Sequence, residues 1–516
     1  MTLGVSLERG TARPFLVLLT ASTGCAMTVL DTNIVAIVLP TVARDFGATF
    51  AEIEWVVSTY VLCFASLLLP AGAVADRFGR RRVFLIGIAA FALTSLLCGL
   101  APSAAFLYAA RALQGASAAF LLAPALAVIA HTFHGEAERN RAWAIWGSIM
   151  GLTMVLSPIA GGVIAHLLGW RWAFHVNLPI CAALAAAAVA FVGESRDEAA
   201  RRLDPAGIVF FASAMFGLTW GLINGQAHGW TSATALAGFA AGIGAFAAFV
   251  VAERLQVRPM LDLGLFRNPR LVGGVWAMFA YAACAQVMAS LLPLFLQNGL
   301  GRAPLEAGFA MLPFALAMLA FPHVGRLLGR RLIPADILAL GLLVVGFGNA
   351  LTGWAARLGD RPLVMLGMVV LGAGGGLLNG ETQKAIMSVV PRERAGMASG
   401  ISTTARFSGI LLGFATLSGV LATAVRGVLA PGSCDGGDAC RQARAFADAV
   451  VAGDLPQAVA GLAGAEREAA TTQALSAYSA GFSVALLAAA AIAGLSAVAV
   501  RRLMRAPRGP IASMKR

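Results

Sequence analysis

The sequence predicts an all-α polytopic membrane protein of about fourteen helices, and three observations carry that prediction. Hydrophobic residues make up 59% of its 516 positions, charged residues only 12%, and mean hydropathy is +0.80. A soluble domain carries roughly 25% charged residues to wet its surface, so most of this chain must face lipid or other apolar helices. Apolar runs of about 20 residues recur along the whole length, each long enough to cross a hydrocarbon core of roughly 30 Å. The polar–apolar alternation of a membrane barrel strand is absent, which leaves helices as the spanning elements.

The first six spans are expected near 15–40, 53–75, 83–101, 104–129, 143–167 and 173–193, forming an amino-terminal half over 1–195. A pair near 206–225 and 232–252 falls within an inserted region, 196–270. The last six, near 271–297, 305–324, 334–356, 362–388, 400–426 and 476–500, form a carboxyl-terminal half over 271–516. Residues 427–475 read as one long non-helical loop on the extracytoplasmic side. Met1–Pro14 is a short polar leader, and the apolar run behind it is longer than the core of a cleaved signal.

A net charge of +13 in a soluble protein would point to nucleic acid. Here the charges lie between apolar runs and act as topology signals. Arginine-rich loops such as Arg77 to Arg82, Arg139 and Arg141, and the tail from Arg501 to Arg516 fall on one side. The opposite loops carry fewer. Both termini and the arginine-rich loops are therefore expected in the cytoplasm, and no nucleic-acid partner is expected. Scarce lysine beside abundant arginine and alanine fits a GC-rich bacterium, so the expected address is the bacterial inner membrane.

Charges inside spans are costly, at least ~2.5–3.5 kcal/mol each at the bilayer centre, so they mark function or pairing. The deep ones are Asp31, Arg111, Glu381, Lys384 and Arg406, with Glu54 nearer an outer boundary. Asp31 and Arg111 fall at similar depth in one half. They read either as a static ion pair or as a carboxylate whose protonation is tuned by the arginine and drives conformation. Glu381 and Lys384 are three apart and share a helix face. They read as a self-neutralised pair or as a second proton or cation site, with Arg406 an alternative partner for Glu381. Pro158, Gly161 and Gly162 punctuate the fifth span, permitting close approach and a bend that could serve as a gate.

Other signals are weaker. Five cysteines (Cys25, Cys63, Cys98, Cys181, Cys284) sit singly in apolar runs as packing residues. Cys434 and Cys440 share the outer loop, close enough to bridge, with two free thiols the alternative. His131 and His134 have a metal-like spacing but no further ligand, so no metal is expected. Trp55, Trp170, Trp172 and Trp230 fall at span ends, as interface anchors do. No glycine-rich phosphate loop ending in Lys-Ser or Lys-Thr is present, which argues against ATP coupling. No clustered nucleophile and base is found, and neither enzyme nor cofactor is expected.

Several stretches resemble the major facilitator superfamily, specifically its fourteen-span drug:proton antiporters. Gly72-x-x-x-Asp76-Arg77-x-Gly79-Arg80-Arg81 resembles the superfamily's loop signature, and Arg111-Ala-Leu-Gln114-Gly115 its fourth-span motif. Leu30-Asp31-x-x-Ile34-Val35 through Pro40 is similar to the first-span motif of the antiporter branch. Trp170 to Pro179, Leu203 to Gly207 and Ala395 to Gly400 are similar to that branch too. The antiporter motif Gly-Pro-x-x-Gly-Gly has Ser157 before Pro158 here. The resemblance implies two six-helix halves with an inserted pair, a monomer, and proton-coupled export of small amphipathic molecules, drugs among them. It implies a proton-coupling role for Arg111 and a conformational role for Gly72, Asp76, Arg77, Gly79 and Arg80, which would latch the halves on the cytoplasmic side. Uptake by proton symport, a dedicated metabolite exporter and a non-transporting sensor or assembly protein are the alternatives.

Overall fold

Short polar residues and glycines stop and start the helices. Thr49 and Glu52 form a reciprocal capping box at the second helix, and Ser103, Ser232, Asn268 and Asp360 cap four later ones. Each such cap satisfies an otherwise orphaned N–H and contributes about 1 kcal/mol. Pro304, Pro334 and Pro362 occupy first-turn positions, where a missing N–H costs nothing. Gly359, at φ 71°, ends one helix in the left-handed conformation that side chains resist.

The computed structural model describes residues 9–133, 136–196, 205–256, 263–329, 331–390, 395–430 and 438–505. Its first half comprises α1 (Arg9–Phe46), α2 (Phe50–Phe78), α3 (Arg80–Gly99), α4 (Ala104–Thr132), α5 (Glu136–Leu167) and α6 (Trp172–Phe191). The inserted pair is α7 (Pro205–His228) and α8 (Ala233–Leu255). The second half comprises α9 (Pro269–Gly299), α10 (Pro304–Leu328), α11 (Pro334–Leu358), α12 (Arg361–Val389), α13 (Ala395–Leu429), α14 (Asp438–Ala452) and α15 (Gly464–Arg505). Among the described residues thirteen helices are long and apolar enough to cross a membrane, or fourteen when α2, bent by 48° between Leu68 and Pro70, is included. The all-α class and the span order agree with the sequence expectation, and no strand occurs among the described residues.

Residues 427–475 are not one non-helical loop. α13 runs to Leu429, α14 occupies Asp438–Ala452 and α15 begins at Gly464. The Gly/Asp-rich start of this stretch hid an amphipathic helix whose Ala447, Val450 and Val451 are buried. α5 runs unbroken through Pro158. Trp170 is no interface anchor: it is buried and donates to Asp45 Oδ2 at 2.9 Å.

Small residues let the helices touch backbone to backbone. Gly115 of α4 lies against the Tyr60 carbonyl of α2, and Gly372 of α12 against the Phe314 carbonyl of α10. α7 packs on both α2 and α13, so the inserted pair sits beside the seam between the halves. Its Phe216 and Trp220 stack around Trp55 of α2 at centroid distances of 5.9 and 5.7 Å.

Candidate functional site

Asp31 and Arg111 come together in the core of the first half. Arg111 Nη1 lies 2.6 Å from Asp31 Oδ2, and the side chains are 1% and 0% exposed. α1 contributes the carboxylate and α4 the guanidinium. A lone charge there would be prohibitive; two opposite charges in contact and ringed by hydrogen-bond partners are sustainable. Asp31 Oδ1 accepts from Gln114 Nε2 at 3.0 Å and from Asn177 Nδ2 at 2.9 Å. Both amides also donate to Ser95 Oγ, at 2.6 and 3.2 Å. Arg111 further donates to Gln114 Oε1 and the Val56 carbonyl, and its guanidinium stacks 4.0 Å from the Tyr60 ring centroid. Every hydrogen-bond partner of Asp31 is a donor, as an acceptor-only carboxylate demands. Asn177 Oδ1, by contrast, is buried without a hydrogen-bond partner.

In the second half Glu381 pairs with Lys384 at 3.3 Å. Glu381 is nearly buried against Gly325 of α10, whereas Lys384 is 62% exposed and reaches out as a snorkelling lysine does. Arg406 does not bond to Glu381. Its Nη2 donates to Asn379 Oδ1 at 3.5 Å.

Glu54, expected near a boundary, is buried at the seam, where Ser418 of α13 donates to it across the halves. Further contacts gather towards the same, Phe46 end of the bundle. Gln297 Nε2 of α9 donates to the Ile37 carbonyl of α1 at 2.9 Å. Gly162 of α5 faces the Pro304 carbonyl of α10, Gly308 of α10 faces the Pro158 carbonyl of α5, and Gly161 lies on Ile34 and Ile37 of α1. Mid-bundle, Phe64 and Phe407 meet edge to face at 4.3 Å.

At the opposite, Phe78 end the loop motif is held by its own half. Asp76 pairs with Arg80 at 2.8 Å, Arg77 is exposed, and Gly72 packs loosely on Ala123. Gly79 adopts φ 110°, and a Cβ there would meet the Glu194 carboxylate at 2.6 Å. Glu194 Oε1 and Oε2 accept from the Arg81 and Arg82 backbone N–H groups at 3.1 and 3.3 Å, capping α3 with a negative charge at its positive end. The Arg80 N–H donates to the Ser195 carbonyl at 2.8 Å. Glu194→Ala should therefore loosen this junction by about 1 kcal/mol, the worth of an N-terminal cap. Hydrogen exchange at the Arg81 and Arg82 amides should accelerate; unchanged protection would refute the cap.

Sequence reasoning missed Ser95, Asn177 and Glu194 as site residues. Asn177 lay inside the Trp170–Pro179 motif, whereas Ser95 carried no signal. Cys434 and His134 lie outside the described residues, as does the side chain of Cys440; no metal-binding cluster occurs among those described.

The geometry of two bundles meeting at a seam is shared with solved transporters. A bacterial homologue of the human lysosomal transporter Spinster, in an inward-facing and occupied conformation, superposes with a TM-score of 0.65 at 18% identity, covering 97% of this chain and 99% of that one. A peptide transporter POT in complex with sulfate gives 0.62 at 15% identity over 95% and 96%. In sequence, the chain is 37% identical over 424 residues to the multidrug resistance protein Stp of Mycobacterium tuberculosis, covering 81% of this chain and 77% of that protein. It is 33% identical over 452 residues to the tetracenomycin C resistance and export protein of Streptomyces glaucescens, covering 86% and 84%. The family model of the Major Facilitator Superfamily matches residues 21–414. This multi-pass membrane protein is a transporter rather than an enzyme, and it belongs to the Major Facilitator Superfamily.

Proposed function

We propose that the protein is a proton-driven exporter of drugs or other small amphipathic molecules, working by alternating access. The buried Asp31–Arg111 pair carries this reading, set in a chain whose relatives are named for resistance and export. Residues 1–195 and 271–516 act as the rocking halves, and 196–270 supplies the pair that flanks their seam. The monomer lies in the bacterial inner membrane with both termini cytoplasmic, which puts the Phe46 end outside.

With the seam closed at that end, the state is loaded from the cytoplasm. A proton arriving at Asp31 cancels its charge and turns one of its oxygens from acceptor to donor. Arg111 then loses its counter-charge, and the new O–H needs an acceptor, for which Asn177 Oδ1 stands ready after an amide flip. The rearranged network favours the other packing of α1 against α4 and α6, and so biases which end of the seam opens. In the outward-open state Asp76 and Arg77 would latch the second half on the cytoplasmic side. Glu381 serves as a second protonation site beside Lys384.

The test is substrate flux in everted vesicles bathed in a resistance panel of drugs. Uptake into the vesicles should rise with an acid interior and collapse with protonophore. The opposite sign would replace export by symport, and no flux for any drug would overturn the reading.

A further inference from the structure

We infer that the seam beside Arg406 takes organic anions, apolar aromatic molecules bearing one carboxylate or acidic phenol, with Arg406 as the recognising cation. This rests on the transporter reading above and names its substrate class.

The charge balance of the interior points there. Asp31 is neutralised by Arg111 and walled inside the first half, and Glu381 is neutralised by Lys384. Arg406 is left with a neutral partner, held by one long bond to the Asn379 amide. A half-buried guanidinium in a membrane interior is costly unless an anion joins it for part of the cycle. Glu54, the other buried carboxylate at the seam, lies ten residues along α2 from Phe64, about 15 Å of helix away, beyond the Phe64–Phe407 contact.

The surroundings of Arg406 complete a site for an acidic aromatic molecule. Its neighbour Phe407 meets Phe64 of the opposite half, and Phe64 stacks on Tyr60 at 5.9 Å, which gives aromatic walls on both sides of the seam. Tyr281 is wholly buried beside Gln286 and lies within electrostatic reach of Arg406. Directly after Tyr281 the helix widens into a π turn over Ala282–Gln286, a distortion that re-aims side chains and is frequent at functional sites. A guanidinium and a phenol hydroxyl both donate, and a carboxylate or phenolate accepts from both.

Binding of 3-hydroxy-2-naphthoate and of the similarly sized naphthyl-trimethylammonium cation to the full chain in nanodiscs, by calorimetry without a gradient, tests this. The wild type should bind the naphthoate about tenfold or more tighter than the cation, the worth of one charge-assisted hydrogen bond. Arg406→Gln should lose about tenfold for the naphthoate and nothing for the cation, and Arg406→Lys should recover part of the loss. Tyr281→Phe, which keeps the ring, should weaken the naphthoate a few-fold, about the worth of a neutral hydrogen bond, and carries the test if the Arg406 variants do not fold. Equal or tighter binding of the cation, or naphthoate affinity indifferent to both residues, overturns the inference. Loss of proton-driven flux with naphthoate preference intact would overturn export alone. Flux intact without the preference would overturn the substrate class alone.

Discussion

Asp31→Asn will abolish gradient-driven efflux while the protein still inserts and folds. Asparagine has nearly the shape of aspartate but brings an NH2 group into a ring of donors. Whichever way the amide turns, its nitrogen faces either Arg111 Nη1 or the Gln114 and Asn177 amides, all of which already donate. The variant is thus a permanent mimic of the protonated state, and the switch has only one setting. With no titratable group left to cycle, gradient-driven flux should fall about a hundredfold or more, while the uncompensated Arg111 costs stability of up to ~3–5 kcal/mol. Arg111 keeps Gln114 Oε1, the Val56 carbonyl and the Tyr60 face, which hold the remaining cation well enough for the fold to survive. The measurement is drug accumulation under an imposed proton gradient, beside expression level and melting temperature. Normal efflux by a stable Asp31→Asn protein would remove Asp31 from the mechanism.

What the sequence made legible was set by periodicity and by cost. Span order could be read because each span is a long apolar run ended by proline, glycine or a capping side chain, and because arginines alternate between its flanks. Asp31 and Arg111 stood out because a charge in hydrocarbon is expensive, and Glu381 with Lys384 because three residues make a shared face. Ser95 and Asn177 were not legible as members of the site, since an uncharged polar residue in a span is cheap, and only the fold shows both amides and the serine converging on one carboxylate. Glu194 lies 113 positions from the Arg81 amide it caps, a separation no local pattern encodes. α14 was overlooked because its glycine-rich approach dominates the composition of the stretch, while its buried stripe is only three or four residues wide.

The seam gives the second large effect. Gly162→Leu should trap the halves apart at the Phe46 end and reduce transport about tenfold or more, because an overpacked contact costs ~1–3 kcal/mol and shifts a two-state equilibrium accordingly. A Cβ at Gly162 already stands 2.8 Å from the Pro304 carbonyl oxygen and 3.0 Å from Leu305 Cα. These are backbone atoms, which cannot rotate away as a side chain would. The contact is reciprocal, since Gly308 of the same helix lies against the Pro158 carbonyl of α5. An isobutyl group therefore opens a pair of helices along its length, and with it the Gln297–Ile37 bond and the Glu54–Ser418 bond on either side. Ser418, wholly buried here, reports the change as Ser418→Cys in a background stripped of native cysteines. A membrane-impermeant maleimide added from outside should label it about tenfold faster when Gly162→Leu is present, following the same equilibrium shift. Gly147→Leu, on the same helix but with open space around its Cβ, should change neither labelling nor flux. If Gly162→Leu were labelled as slowly as its parent and still transported, closure at that end would not depend on the α5–α10 contact, and the two halves would have to move by some other surface.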